Sequence, residues 1–258
     1  MEELKPAISK VERHQIDLLL DTGTRRYWVN ESSPRGYVLE KILLGSTERS
    51  YTKQVVSGSE VRYVDWLIPG VIGMNIMFSA LYGVGYVIVR YRKNGVLKRL
   101  KATPLSAIEF LTAQVFSRLW LILAVAMVVL FGTNIFVDFS MYGSYLTLFL
   151  VFAMGAFCMI SMGLVIAARI ASEEFAQGLL NLISWPMMFL SGVWFSLEGA
   201  NPIVLQFSKI FPLTHMIKAA RSVMFDGATL SGVAPELLVL AALSAAFLTV
   251  GALLFRWE

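Results

Sequence analysis

The sequence predicts an all-α, polytopic membrane protein of about five transmembrane helices, and three observations predict it. Only 16% of the residues are charged while 57% are hydrophobic, against about 25% charged in soluble domains. About half of the charges fall before Trp66, leaving the remainder of the chain nearly bare. The bare remainder is divided into apolar runs, each able to cross a hydrocarbon core that needs about 20 helical residues.

The runs are Leu67–Val89, Phe110–Val137, Phe139–Ala168, Phe175–Leu197 and Leu237–Phe255. They predict spans at about 67–89, 110–137, 139–168, 175–197 and 237–255. Their backbones must be satisfied inside each segment, and they do not alternate as β-barrel strands do, so helices are expected. Only Arg118 interrupts them, and snorkelling toward the inner surface is its expected role. Cys158 lies within an apolar run, reads as a small buried filler, and as the single cysteine permits no internal disulfide.

Residues 1–64 are polar and mixed in sign, with a short strand expected at Ile16–Leu20 and a short helix at Tyr37–Leu44. No apolar leader precedes them. The most basic short loop, Arg90–Lys101, carries six basic residues and no acid, which places it in the cytoplasm. Alternation then places Arg169 and Arg256, with the C-terminus, on the same side, and residues 1–64 and the segment Glu198–Glu236 outside. Lys209, Lys218 and Arg221 in that outer segment count against this assignment. An odd number of spans leaves a charged N-terminal segment outside with nothing to carry it across. A further transmembrane helix upstream of Met1, or one from a partner, is therefore expected.

Within the basic loop, Asn94-Gly95 signals a turn. Val96, Leu97 and Leu100 share one face of a short helix, with Lys98, Arg99 and Lys101 around the rest and Pro104 as its stop. Ser106 and Glu109 have capping-box spacing and start the next span. Such a helix can anchor on lipid headgroups or dock a cytoplasmic partner; composition leaves both open. Pro212–Phe225 reads as an interfacial or re-entrant helix opened by its proline and closed by Gly227, with Leu213, Met216, Ile217, Ala220, Val223 and Met224 as its apolar stripe. His215 lies on its polar side without His, Cys or carboxylate neighbours at metal spacing.

Inside the spans, Asn75, Ser79, Tyr82 and Tyr86 share a face, as do Asn181, Ser184 and Ser191, with Pro186 expected to bend the later helix. Interhelical hydrogen bonding and contact with a passing substrate both account for them. Ser79 and Gly83 form a small-xxx-small pair suited to close helix contact. The span centres hold no acids, which argues against proton- or sodium-coupled transport. No phosphate-binding P-loop, nucleophile elbow, HExxH or CxxC motif occurs, so no catalytic role is expected. The net charge of +4 is too small to suggest a nucleic-acid partner.

Several stretches in order are nevertheless distinctive: Val64-Asp-Trp-Leu-Ile-Pro-Gly70, then Lys101-Ala-Thr-Pro-Leu-Ser106, Ser172-Glu-Glu-Phe-Ala-Gln177, Trp185-Pro-Met-Met-Phe-Leu-Ser-Gly192, and Phe211-Pro-Leu-Thr-His215 followed by Arg221. From about residue 60 to 258 the chain resembles the permease subunit of ABC-2-type ATP-binding cassette exporters. Members of that family have six spans, one subgroup carrying an outer domain after the first, so this chain departs from the pattern by lacking the first span. The resemblance implies an ABC-2-type transmembrane domain in the bacterial or archaeal cytoplasmic membrane, paired with a second permease subunit and embedded in lipid. It implies two ATPase subunits that bind ATP and magnesium in this chain's stead and drive export of a hydrophobic or amphipathic substrate. Lys93, Asn94, Gly95, Val96, Leu97, Lys98, Arg99, Leu100 and Lys101 map to the coupling helix that docks the ATPase, with Glu173 and Glu174 at the second cytoplasmic turn. Pro212, His215 and Arg221 map to the outer gate, and Asn75, Ser79, Asn181 and Ser184 to the path or to helix contacts. The competing reading is a membrane anchor or assembly protein that recruits a cytoplasmic partner and transports nothing.

Overall fold

The computed structural model describes residues 16–30, 33–46, 51–56, 62–139, 141–170, 172–197 and 199–254, with positions 4, 7, 8 and 11 ahead of them. The chain divides into two compact units, Met1–Val64 and Asp65–Glu258. The expected end of the last span at Phe255, and Arg256, lie outside the described residues.

The first unit is built on a small sheet. Strand β1 (Leu18–Asp21) turns through a loop in which Asp21 Oδ1 accepts from Gly23 N at 2.9 Å. Strand β2 (Arg26–Asn30) returns antiparallel, pairing Leu18 with Val29 and Asp21 with Arg26. Helix α1 (Pro34–Ser46) begins at a proline and crosses over to β3 (Thr52–Val56), which pairs parallel with β2. Parallel pairing requires such a crossover. Gly36 lets α1 press on the sheet, since a Cβ there would stand 2.9 Å from Val29 Cγ2. Trp28 packs with Val11 and Val56 beneath. The buried Glu40 accepts from Tyr27 Oη at 2.8 Å and pairs with Lys53 at 2.8 Å. The Lys53 hydrogen bond holds the Glu40 carboxyl below its ordinary range, and burial, with the Glu40 bond, pushes the Tyr27 phenol up to about 12. The expected strand and helix are both present, slightly shifted; β2 and β3 were not anticipated.

The second unit is helical. Helix α2 (Tyr63–Ala80), a π-helical turn (Leu81–Tyr86) and α3 (Val87–Lys93) run as one rod. The short α4 (Val96–Lys101) follows a turn in which Gly95 takes φ 68°. Helix α5 (Ala107–Val137) opens with the expected capping box, Ser106 and Glu109 exchanging side-chain to backbone bonds. Helices α6 (Tyr145–Ala167), α7 (Glu173–Leu190), α8 (Pro202–Ser208), α9 (Pro212–Asp226) and α10 (Leu230–Leu254) complete the unit.

Among the described residues, four helical stretches are long and apolar enough to cross a membrane: Tyr63–Lys93, Ile108–Val137, Tyr145–Ala167 and Leu230–Leu254. The fifth expected span, 175–197, forms α7, which has 18 residues and stops before Gly192 takes φ 71°. Glu173, Glu174, Gln177 and Asn181 dilute its apolar character. The expected 139–168 span starts only at Tyr145, because the preceding loop is tied elsewhere: Tyr142 N donates to Met224 O at 2.9 Å, and Gly143 lies on the Val223 carbonyl. The proline-opened α9 ends at Gly227 as expected and has 15 residues, about 22 Å of axis, too short to span.

Helix α6 lies at the centre, with Phe152, Met159 and Ile160 fully buried. The backbones meet where glycines allow it. A Cβ on Gly85 would stand 3.3 Å from Gly163 O, and one on Gly70 would stand 2.8 Å from Val193 O. Gly83, expected to make such a contact, faces Arg118 at 3.8 Å instead. A Cβ on Gly155 would overlap the Met216 thioether of α9. Gly155→Ala is therefore expected to lower stability by about 1–3 kcal/mol. Thermal unfolding of the single and double variants in detergent checks this: with Met216→Ala added, the combined loss should fall short of the two single losses summed.

Candidate functional site

The two turns at the basic end of the second unit meet. Arg92, near the C-terminus of the long rod, reaches the end of α6: Nη1 donates to Ala167 O at 2.8 Å and to Ile170 O, and Nη2 donates to Ala168 O at 3.0 Å. A helix end leaves its last carbonyls unsatisfied and partly negative, so a guanidinium is the complementary cap. Next to it, Lys93 Nζ lies 3.6 Å from both Glu173 and Glu174. Tyr86 Oη donates to Glu173 at 2.7 Å. Ser172 caps α7 by accepting from Phe175 N at 3.2 Å, and its hydroxyl holds the Glu174 carboxyl below the usual range.

Helix α4 hangs from this clamp. Leu97 is fully buried and Leu100 half-buried, whereas Lys98, Arg99 and Lys101 are exposed. Leu97 thus anchors α4 to its own chain and is not presented outward. Asn94 is exposed and Gly95 and Val96 are half-buried at the head of the helix. The outward face is basic.

Farther along the rod, Tyr82 Oη donates to Asn181 Oδ1 at 2.6 Å, joining the π turn to α7. Ser184 is fully buried, Asn75 is exposed and Ser79 is half-buried. The expected polar faces therefore meet through Tyr82 and Asn181, while Asn75 takes no part.

At the opposite end of the unit, α9 carries two arrangements. His215 Nδ1 contacts Glu236 of α10, its Nε2 contacts Lys209 O at 2.8 Å, and Lys218 Nζ lies 2.5 Å from Glu236. Both ring nitrogens thus have an oxygen neighbour, one on α10 and one on the backbone ahead of α9. On another face, the Arg221 guanidinium stacks 3.5 Å from the Trp66 ring centroid and donates to Gly192 O at 2.8 Å. Pro212 begins the helix and is buried. His215 and Arg221 are thus fixed to different neighbours.

Sequence reasoning missed Arg92, Trp66 and Glu236. Glu236 was legible only as the polar border of an apolar run. Helix α8 was also missed, although Asn201-Pro202 is a helix-start signal and Asn201 Oδ1 accepts from Ile203 N at 2.9 Å. Among the described residues, no cluster of three or more His, Cys, Asp or Glu could hold a metal ion.

The apolar spans and their glycine-mediated packing define a multi-pass membrane protein of helical-bundle type. The model of the ABC-2 type transporter family matches residues 14–225, and the chain belongs to that family. It is 27% identical over 184 residues to the inner membrane transport permease YhhJ of Escherichia coli (strain K12), covering 70% of this chain and 49% of that protein. The protein of the same name from Shigella flexneri aligns equally. The ABC transporter G family member 20 of Dictyostelium discoideum is 25% identical over 183 residues, 69% of this chain and 24% of its own length. The chain thus spans about half, or less, of these relatives.

Arg92 presents a planar fork to several carbonyls, which a lysine cannot reproduce. Arg92→Lys is expected to destabilise the second unit by at least about 1.5 kcal/mol, the lower range for hydrogen bonds to charged groups. Thermal unfolding in detergent checks it, with Lys93→Gln as a comparison that changes stability by less than about 1 kcal/mol.

Proposed function

We propose that this chain is the membrane permease of an ATP-driven exporter and moves a hydrophobic or amphipathic substrate across the cytoplasmic membrane. ATP is hydrolysed on a separate ATPase subunit, and a second permease subunit completes the path. The observation that carries this reading is the clamp of Arg92, Lys93, Glu173 and Tyr86, which ties the end of the rod, just ahead of α4, to the ends of α6 and α7. A force applied to α4 passes through the rod to α6 and α7 together, as coupling to a motor requires. The family membership supports the transport role.

The ATPase contact is assigned to the exposed Lys98, Arg99 and Lys101, together with the exposed Glu174 that pairs with Lys93. Reversing the three charges (K98E/R99E/K101E) is expected to cut co-purification of a P-loop ATPase from gently solubilised membranes at least tenfold. Membrane insertion should be unchanged. Undiminished ATPase recovery would defeat the docking assignment, and recovery of a non-ATPase partner from the unaltered protein would favour the anchoring role.

In this reading residues 90–101 and the C-terminus face the cytoplasm and residues 1–64 the outside. A fluorescent or phosphatase reporter inserted after Gly95 should behave as cytoplasmic; an outer-face signal reverses the topology.

A further inference from the structure

Arg118 is the one charge between Phe110 and Val137 on α5. A side chain that snorkels would carry its charge toward the N-terminal end of α5, to the level of Arg90 and the basic loop. Arg118 does not reach that level. Its guanidinium lies beside the π turn, where a Cβ on Gly83 would stand 3.8 Å from Cδ and 3.9 Å from Nη1. About 10 Å of helix axis separates Gly83 from Arg90, so the charge stays within hydrocarbon depth. Among the described residues it has no hydrogen-bond or ion-pair partner.

The guanidinium lines an open hollow of about 500 Å³. Ser79, whose hydroxyl also lacks a partner among the described residues, and Tyr82 supply its other polar edge, and Phe78, Leu121 and Ile122 its apolar walls. Gly83 keeps the space beside the charge clear. An ionisable residue inside a membrane segment marks a functional site by default because the environment selects for a counter-charge. No such counter-charge is present within the described residues. The hollow offers a fixed cation, a hydroxyl donor and apolar walls in one place.

We propose that this hollow binds the anionic head of an amphiphile, a carboxylate or a phosphate, between Arg118 and Ser79, with the apolar chain against Phe78, Leu121 and Ile122. Calling that amphiphile the transported cargo rests on the permease reading; the binding itself does not. The same head chemistry belongs to a free amphiphile and to a membrane phospholipid, and the test separates them.

The full chain is reconstituted in phosphatidylcholine nanodiscs and titrated with pyrenyl-dodecanoate and, in parallel, with its neutral methyl ester, read by pyrene fluorescence. The carboxylate is expected to bind at least tenfold more tightly than the ester. Arg118→Gln should bring it to the level of the ester, Arg118→Lys should retain part of the preference, and Gly83→Leu should weaken both probes by filling the hollow. Equal binding of carboxylate and ester, or an unchanged preference in Arg118→Gln, overturns the site. Should Arg118→Gln fail to fold, the unaltered protein's preference and its partial retention in Arg118→Lys decide the matter. Adding phosphatidylglycerol to the discs identifies the occupant: displacement of the probe indicates a membrane phospholipid, and persistence a free amphiphile. ATPase co-purification is measured on the same samples. Its loss with the carboxylate preference intact fails the permease reading alone; the reverse result fails the site alone.

Discussion

The second unit depends on one close approach, that of Gly85 to Gly163. Lipid gives no hydrophobic drive for one helix to pack on another, so contact rests on fitting backbones and on interhelical hydrogen bonds. Bare backbone on both sides lets the rod Tyr63–Lys93 reach the carbonyl surface of α6. The approach falls within the π-helical turn Leu81–Tyr86. Tyr82 and Tyr86 stand four apart on one face and both bond to α7, while Gly85 meets α6. The two tyrosine bonds and the Lys93–Glu173 pair together hold the rod against α7.

Helix α6 is then held at both ends, each time through backbone carbonyls. At its C-terminus Arg92 gathers the carbonyls of Ala167, Ala168 and Ile170. Ahead of its N-terminus the chain is pinned to α9 by the Tyr142–Met224 hydrogen bond and by Gly143 on Val223. Between these ties lie Gly155 and Met216, interlocked at close range. The Lys93 pairs with Glu173 and Glu174, at 3.6 Å and half-exposed, add little by comparison, since such pairs contribute about 0–1 kcal/mol. Rigidity comes from donors aimed at orphan carbonyls, and charge pairing decorates it.

What was legible in the sequence was local. Charge-free runs give spans because length and polarity alone decide insertion. Ser106 with Glu109, Asn94-Gly95, and Pro212 with Gly227 mark ends because the backbone needs those residue types there. The hidden features require knowledge of a distant neighbour. Nothing in the spacing of Leu97 distinguishes a side chain offered to a partner from one buried in its own fold. Gly83 and Gly85 are equivalent to a pattern of small residues, yet one meets a helix and the other an arginine. His215 seemed to lack a carboxylate because Glu236 stands on the next helix, 21 positions along the chain. Strands β2 and β3 pair across an intervening helix, and short strands carry a weak signal of their own.

The burial of Leu97 bears on how a motor would grip this protein. Were the apolar face of α4 turned outward, docking would rest on hydrophobic burial, and the free helix would be a loose amphipathic segment lying on lipid. With Leu97 turned inward, α4 is already part of the bundle before any partner arrives, and the face left over is Lys98, Arg99 and Lys101. A contact through such a face depends on charge complementarity and weakens with salt, because exposed charges are screened over about 8 Å at physiological ionic strength. In the proposed docking, specificity would lie in an acidic complement on the partner, and mechanical firmness in Leu97 and Arg92, which are engaged within the chain. Under that proposal, recognition and transmission would fall to different side chains of the same short stretch.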